Sequence, residues 1–393
     1  MIQRSDLESI RGIGRYFKNE AWHQNLMYRG NFVIALISLL LAFSGCDKQE
    51  DLNDNDTNHS GKTGNNNEVV LNETKRYFVA EMPGVLQSMA IDNNHVLYFV
   101  SSEVDREAFA KLPPYSNYIP FRHYLSRKTK ETNDYEVIDD RFMGGKLSFD
   151  RNNQLWCWGG SVVYKMDGNS YKKIIGLPSS EGSFNSLAVD NDNNIWAGGL
   201  QTGLYKIDSR LNITHYDSEL PTNSMTSIHV DKNNNIWIAL WNREVLKIAK
   251  NQWVVYDNIS SQSIWCLVTD QNGYLWMGTG FFNEANQSLR RFDGTQWETV
   301  TPRNEKNEPV TGTVRLVQPV GQRIYVVAEH VRVFPNGGGA EQISNDLLSF
   351  DGKKWNKIYE VPDDDTIFDL IADPSRSALW VLTNKGLYKI ISN

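Results

Sequence analysis

The chain has 393 residues, enough for one large domain or for two to three domains of ordinary size. A formal net charge of −7 excludes a strongly basic nucleic-acid binder, and only three cysteines exclude a disulfide-dense scaffold or a cysteine-rich zinc module. Aromatic residues are abundant (12 Trp, 17 Tyr and 16 Phe), and Gly, Asn and Asp recur between short apolar runs, which favours an all-β protein.

The N-terminal part has the pattern of an export signal. Residues 32–44 are all apolar or small, a run too short to span a bilayer but suited to a signal-peptide core, and Arg29 precedes it. The small residues before Cys46 resemble a bacterial lipobox, which implies that Cys46 is lipidated. We therefore expect residues 1–45 to be an N-terminal extension and lipoprotein signal peptide, with Met1 or Met27 as the start. A cleaved secretory signal or a transmembrane anchor is the alternative.

Residues 46–74 are rich in Asp and Asn and nearly devoid of apolar side chains. Such a segment buries too little surface to fold, so we expect a flexible acidic tether. An acidic run after a lipidated cysteine resembles the surface-export signal of Bacteroidota lipoproteins, although a plain solvated linker has the same composition. The expected location is the bacterial cell envelope, at the outer membrane and facing outwards, with membrane contact through the lipid anchor only.

The remainder repeats one motif, an aspartate followed six positions later by an aromatic residue. Regular copies occur at Asp92/Tyr98, Asp150/Trp156, Asp190/Trp196, Asp231/Trp237 and Asp270/Trp276. Two copies are degenerate: Pro319 stands before Tyr325, and one extra residue separates Asp373 from Trp380. The aromatic residues lie 39 to 58 positions apart. A period near 40 residues with several short strands per unit is typical of β-propeller blades, and it predicts seven of them.

Each repeat predicts four strands, A to D. Strand A precedes the aspartate, the Asn-rich stretch forms a tight turn, the aromatic residue lies in strand B, and a Gly-Leu-Tyr-Lys-Ile run such as 203–207 forms strand C. The last repeat stops after strand C, whereas residues 75–80 look like an isolated strand D. We therefore predict a propeller over residues 75–393, closed by pairing 75–80 with 385–391, and landmark aromatics buried between sheets. A two-domain protein or an open β-solenoid is the alternative.

The best copy reads Asp-Gln-Asn-Gly-Tyr-Leu-Trp-Met-Gly-Thr over residues 270–279, and residues 190–207 come close to it. These repeats resemble the two-component-regulator propeller family across residues 75–393. Its propellers are ligand-binding sensor domains that are often linked to glycan sensing. The resemblance implies the fold and a binding role, and we expect a stand-alone lipoprotein with no cofactor and no metal. The ligand does not follow, because fold alone does not define function.

The predicted binding face is the one that carries the connections between strands B and C. Blades 1, 5 and 6 have long B–C connections, and these share one face with the D–A connections, where binding residues tend to lie. Aromatic candidates on this face, with Arg243 as a polar neighbour, are Trp158, Trp241, Trp265, Phe281 and Phe282. Packing of these side chains against the blade tops is the alternative.

Strand A supplies three charged candidates. Four residues before the aspartate position most blades have a small residue, but three have Lys146, Arg315 and Asp369. These positions should form a ring near the mouth of the central channel. Two interpretations remain open: Arg315 and Asp369 pair with each other, or the three charges anchor a ligand.

The sequence favours a non-catalytic role, although it leaves an enzymatic function open. The five His of the repeats lack metal-ligand spacing, and no nucleophile elbow or phosphate loop is present. We predict a binding module for a glycan or a protein, and no nucleic-acid partner. A propeller enzyme that resembles streptogramin lyases or lactonases is one alternative, and an accessory subunit of a surface nutrient-uptake complex is another. Cys157 and Cys266 are predicted to be free thiols.

Overall fold

A computed structural model describes residues 74–391 apart from short gaps, at 78–84, 113–119, 129–134, 143, 168–169, 179, 251, 258, 260–262, 281–288, 311, 334–339, 361–365, 374–376 and 385. The predicted signal peptide, Cys46 and nearly all of the predicted tether lie outside the described residues, as do Phe281 and Phe282. No helix among the described residues is long and apolar enough to cross a membrane.

The described strands form seven four-stranded antiparallel sheets, which confirms the all-β seven-bladed propeller. Blade 1 contains β2 (Val85–Ile91), β3 (Leu97–Val104), β4 (Phe121–Lys128) and β5 (Tyr135–Asp139). Blade 2 contains β6 (Lys146–Phe149), β7 (Leu155–Gly159), β8 (Val162–Asp167) and β9 (Ser170–Gly176). Blade 3 contains β10 (Ser183–Val189), β11 (Ile195–Leu200), β12 (Leu204–Ile207) and β13 (Ile213–Tyr216).

The next three blades repeat this order of strands. Blade 4 contains β14 (Met225–Val230), β15 (Ile236–Leu240), β16 (Val245–Ala249) and β17 (Gln252–Tyr256). Blade 5 contains β18 (Ile264–Thr269), β19 (Leu275–Thr279), β20 (Leu289–Phe292) and β21 (Trp297–Val300). Blade 6 contains β22 (Thr313–Val320), β23 (Arg323–Val333), β24 (Ala340–Phe350) and β25 (Trp355–Glu360).

Blade 7 is closed by the N-terminal strand, as the sequence predicts. It contains β26 (Ile367–Ala372), β27 (Ala378–Thr383) and β28 (Gly386–Ile391), and its outer strand is β1 (Thr74–Tyr77). The register pairs Thr74 with Ile390 and Tyr77 with Leu387. The pairing covers an edge of β28 that would otherwise be exposed, and it ties the two ends of the propeller together.

The repeated aspartate builds both the A–B turn and the contact with the landmark aromatic. In blade 3, Asp190 Oδ1 accepts hydrogen bonds from the N–H groups of Asp192 and Asn194, at 3.0 and 2.8 Å. Its Oδ2 accepts from the indole Nε1–H of Trp196 at 2.9 Å. The same indole bond recurs in blades 2, 4 and 5, from Trp156, Trp237 and Trp276. The aspartate therefore provides hydrogen-bond acceptors both for the buried indole N–H and for the backbone N–H groups of the turn.

Each landmark aromatic packs against the following blade. Trp196 belongs to blade 3 but clusters with Met225 and Ile228 of blade 4, and Trp276 of blade 5 clusters with Val314 of blade 6. Burial of one Trp removes about 150–250 Å² from water, worth an upper bound of about 4–6 kcal/mol. These contacts form the core between sheets that the sequence predicts.

Blade 6 corrects two expectations. Its A–B turn is a tight hairpin that pairs Val320 with Arg323, so Pro319 lies within strand A, paired with Ile324, rather than at the position of the missing aspartate. Its long B–C connection is an extension of the β23–β24 hairpin, paired as far as Val333 and Ala340, rather than an irregular loop. In blade 1, the corresponding connection contains helix α1 (Arg106–Ala110), which Asp105 caps by accepting from the Ala108 N–H at 2.9 Å.

Candidate functional site

The face formed by the B–C and D–A connections is called the loop face here, and backbone hydrogen bonds join its connections between blades 3 and 4. The connection between these blades runs from Asp217 to Ser224, and the B–C turns on either side bind it. The Gly203 N–H donates to the Asn223 carbonyl at 3.0 Å, and the Trp241 N–H donates to the Ser224 carbonyl at 3.0 Å. Backbone hydrogen bonds therefore fix the positions of both B–C turns relative to this connection.

Trp241 presents a large exposed apolar surface on the loop face. It lies at the B–C turn of blade 4, and 48% of the residue is exposed. The turn closes when the Arg243 N–H donates to the Leu240 carbonyl at 3.0 Å, which places Arg243 at a φ of 74°. Trp241 and Arg243, both predicted from the sequence, thus lie on one turn with their side chains exposed.

A cleft of about 230 Å³ opens on the same face beside this turn. It is lined by Leu177, Glu181, Gln201, Thr202, Tyr205, His215, Asp217 and Asn223. Asn223 directly precedes Ser224, which accepts the Trp241 N–H, so the cleft and Trp241 flank the same connection. Sequence reasoning did not identify this cleft, because its walls come from three separate connections and two strands.

Two aromatic rings form the floor of the cleft. The rings of Tyr205 and His215 stack with centroids 4.1 Å apart, and the His215 Nε2 atom lies 2.9 Å from the Thr202 carbonyl, to which it donates. Burial, together with the nearby carboxylates of Glu181 and Asp217, raises the pKa of Tyr205. The floor is therefore a neutral phenol beside two acidic side chains.

The other predicted aromatic residues are less accessible. Trp158 is only 6% exposed and packs between blades 2 and 3 against Val163 and Phe184, so it offers no exposed face to a ligand and that expectation is corrected. Trp265 is half-buried, and its indole Nε1–H donates to the Gly280 carbonyl at 2.9 Å. In the register of strand B, Trp158 occupies the position that Gly198 has in blade 3.

The three predicted charges meet in the ring of first strands. Asp369 Oδ2 accepts from the Met89 N–H of blade 1 at 3.1 Å, and its Oδ1 accepts from the Leu370 N–H at 2.9 Å. Burial raises the pKa of Asp369 to about 6, although these hydrogen bonds and the charges of Lys146 and Arg315 oppose the shift. The carboxylate therefore joins blade 7 to blade 1.

Lys146 and Arg315 differ in their roles beside this carboxylate. The Arg315 guanidinium donates to the Ile367 carbonyl of blade 7. Loss of hydration inside the protein lowers the pKa of Lys146. The negative charge of Asp369 opposes this shift, and the positive charge of Arg315 adds to it, so the three charges interact. The register corrects one detail: Arg315 occupies the bulge of strand A, and Leu316 takes the ring position predicted for Arg315.

A serine and a histidine form a hydrogen-bonded pair in blade 1. Ser102 Oγ and His123 Nδ1 are bonded across strands β3 and β4, and burial lowers the pKa of His123. Ser102 is only 1% exposed, which keeps its hydroxyl from a substrate. Cys157 and Cys266 are free thiols, as predicted, and burial raises the pKa of each to about 12. No group of metal-ligating side chains among the described residues could hold an ion.

The comparisons with known proteins agree with this architecture. The family model for the two component regulator propeller matches residues 219–242 and 258–281, in blades 4 and 5. The chain carries two component regulator propeller repeats. No curated protein matches the chain.

Several solved structures share the fold of these two component regulator propeller repeats. Virginiamycin B lyase from Staphylococcus aureus, solved with quinupristin, is 8% identical with a TM-score of 0.59, over 82% of this chain and 100% of the lyase. The extracellular domain of a hybrid two component system from B. thetaiotaomicron is 14% identical with a TM-score of 0.54, over 81% of this chain and 39% of that one. YCF48 bound to a peptide is 13% identical with a TM-score of 0.55, over 83% and 98%.

Proposed function

We propose that this protein is a non-catalytic binding module of the cell envelope that holds a glycan on its loop face, around blades 3 and 4. The observation that carries the proposal is the exposed indole of Trp241 beside the polar cleft that contains Tyr205 and His215. An aromatic face provides apolar contact for a sugar ring, while carboxylates and amides hydrogen-bond to its hydroxyl groups. The similarity in fold to the extracellular domain of a hybrid two component system supports a binding role.

Anchoring through Cys46 is proposed from the sequence pattern alone. It is compatible with the propeller, because strand β1 begins at Thr74, which leaves 27 residues between Cys46 and the first strand. Mass spectrometry of the mature N-terminus tests the anchor, and an unmodified Cys46 would contradict it.

Substitution of Trp241 by Ala tests the binding role. In a thermal-shift screen of the purified protein against a glycan panel, a ligand at 100 times its dissociation constant stabilises the native state by about 2.7 kcal/mol. We expect Trp241→Ala to weaken binding of the glycan found in this way about tenfold or more, with the unfolding temperature of the free protein unchanged, because the indole is exposed.

Ile213→Ala is a matched control, since Ile213 is 47% exposed but begins the outer strand of blade 3 and pairs with Ile207, at the end of the blade that carries the A–B turn. Equal weakening by both substitutions, or no effect of Trp241→Ala, would contradict the proposed site. A screen that finds no glycan, followed by capture of a protein whose binding needs Trp241, would replace the glycan with a protein partner on the same face.

A further inference from the structure

A second cleft, of about 280 Å³, lies between blades 1 and 2. Gln154 of the A–B turn of blade 2 lines it, which places the cleft at the opposite end of the blades from the loop face. Most of its wall is apolar and is drawn from both blades: Tyr98, Ile138, Phe149, Leu155 and Met166. The cleft is therefore separate from the proposed glycan site.

The boundary between blades 3 and 4 shows what fills the equivalent space elsewhere in the ring. There the indole of Trp196, in strand B of blade 3, packs against three apolar residues of blade 4: Val230, Ile236 and Ile248. The ring of Tyr216, in strand D of blade 3, stacks with that indole at 6.2 Å between centroids. An indole and a second aromatic ring thus fill this boundary.

The boundary between blades 1 and 2 has the same three apolar positions. Phe149, Leu155 and Met166 occupy in the register of blade 2 the positions of the three blade 4 residues just named. Ile248, which packs with Trp196, is only 7% exposed, whereas Met166 at the same position is half-buried. Apolar surface that the protein covers between blades 3 and 4 is therefore open in the cleft.

The surface is open because blade 1 supplies less aromatic area. Tyr98, with a single ring, has the register position of Trp196. Ile138 lines the cleft from strand D, two residues past the partner of the strand C cation, which is where blade 3 has Tyr216. Both aromatic groups of the blade 3 arrangement are thus reduced or missing, and the cleft has the place of the missing ring.

Two polar groups border the cleft. The side-chain amide of Gln154 forms no hydrogen bond with any described residue, because only the backbone of this residue is bonded. The Arg127 guanidinium, paired with Glu136 at 2.7 Å, has the register position from which the Lys206 ammonium lies 5.3 Å from the ring centroid of Trp196. A cation beside an aromatic ring and an amide oxygen for an N–H donor are contacts that suit an indole.

We propose that the cleft binds an indole ring, which packs against Tyr98 and Met166 and donates its N–H to the Gln154 amide oxygen. A cavity of about 150 Å³ in another protein holds benzene, so about 280 Å³ has room for a fused second ring. The ring belongs either to a free small molecule or to a tryptophan side chain of a partner protein. This site lies beyond the proposed function and does not depend on it.

Titration of the purified protein with small aromatic compounds, followed by saturation-transfer NMR, tests the proposal. For indole, a ligand of few atoms, we expect a dissociation constant on the order of millimolar. Cyclohexanol, which lacks the flat ring, and 1-methylindole, which lacks the N–H donor, should each bind three-fold or more weakly. N-acetyltryptophanamide compares the two sources: it binds more tightly than indole if the natural ligand is a tryptophan side chain, and more weakly if it is a free small molecule.

Substitutions assign the ring to the cleft. We expect Ile138→Tyr, which adds a ring inside the cleft, to weaken indole binding five-fold or more without lowering the unfolding temperature. Val137→Tyr is the matched control, because Val137 is the preceding residue of the same strand, is 40% exposed and does not line the cleft. Gln154→Met keeps the length of the side chain but removes the amide, so it should weaken binding of indole and leave binding of 1-methylindole unchanged.

Several results would overturn the proposal: no binding of indole, equal binding of indole and cyclohexanol or 1-methylindole, or equal effects of Ile138→Tyr and Val137→Tyr. Loss of indole binding in Trp241→Ala would also overturn it, because the ring would then lie on the loop face. If the cleft variants leave indole binding unchanged while Trp241→Ala releases a glycan, the indole site fails and the proposed function stands.

Discussion

The carboxylate of Asp190 shows why one residue type marks the blades. It satisfies two backbone N–H groups and one buried indole at once, and no other side chain of its length offers two ionised acceptor oxygens. A lysine of strand C then covers the same indole: the Lys206 ammonium lies 5.3 Å from the ring centroid of Trp196, and the Lys247 ammonium 4.7 Å from that of Trp237. The spacing between aspartate, tryptophan and lysine is therefore structural.

His229 makes stability depend on pH. Its Nε2 accepts the Thr269 N–H of the next blade at 3.0 Å, so this ring is neutral, and burial lowers its pKa to about 4. The imidazole in the unfolded chain, with a pKa of about 6.5, binds a proton more readily, so the contribution of His229 to the free energy of unfolding should fall as pH drops from about 6.5 to 4, by up to about 3 kcal/mol. Asp369, whose pKa is raised to about 6, contributes with the opposite sign over part of this range. Urea unfolding across this range measures the effect.

Replacement of His229 by Gln removes the titrating group but keeps an acceptor for the Thr269 N–H. We expect His229→Gln to lose less stability than wild type as pH drops from about 6.5 to 4, whereas His95→Asn, at an exposed turn position of positive φ, should follow the wild-type profile. Identical pH profiles for wild type and His229→Gln would contradict this role.

At the scale of strands, the regular blades were predictable and the irregular connections were not. Strands β10 to β12 follow directly from local pattern, because the aspartate turn and the alternation of apolar residues fix their register. The A–B turn of blade 6 lacks the aspartate, so no local residue marked its shorter length and Arg315 was assigned one position away from its place in the register. The blade 3 cleft was missed for a related reason, since Glu181, Tyr205 and Asp217 come together only in the folded ring.

Strand β1 is the element whose removal tests closure. A truncated chain that begins at Thr74 keeps all four residue pairs between β1 and β28. A chain that begins at Phe78 loses all four. We expect the shorter chain to lose about 2–4 kcal/mol of unfolding free energy, from hydrogen bonds worth about 0.5–1.5 kcal/mol each. It should also self-associate in analytical ultracentrifugation, because an edge of β28 becomes exposed. Equal stability and a monomeric state for both chains would contradict closure by β1.

On the scale of the whole molecule, hydrogen bonds link the first strands of neighbouring blades around the ring. Ser186 Oγ accepts from the Ile228 N–H at 2.9 Å and Ser227 Oγ from the Leu267 N–H at 3.2 Å, each across a blade boundary, and Asp369 closes the last boundary to Met89. The A–B face is similarly joined, where the Asn191 N–H donates to Asn234 Oδ1 at 2.7 Å. Such a ring holds the loop-face connections in fixed positions, which suits a preformed binding surface.

The central claim is that ligands bind on the loop face, and hydrogen–deuterium exchange with and without the bound ligand tests it most directly. We expect slower exchange in the B–C turns and the D–A connection of blades 3 and 4, residues 199–205, 217–224 and 240–245. The A–B turns of the same blades, residues 191–194 and 232–235, should exchange at unchanged rates. Protection of the A–B turns, with the loop face unaffected, would contradict the account.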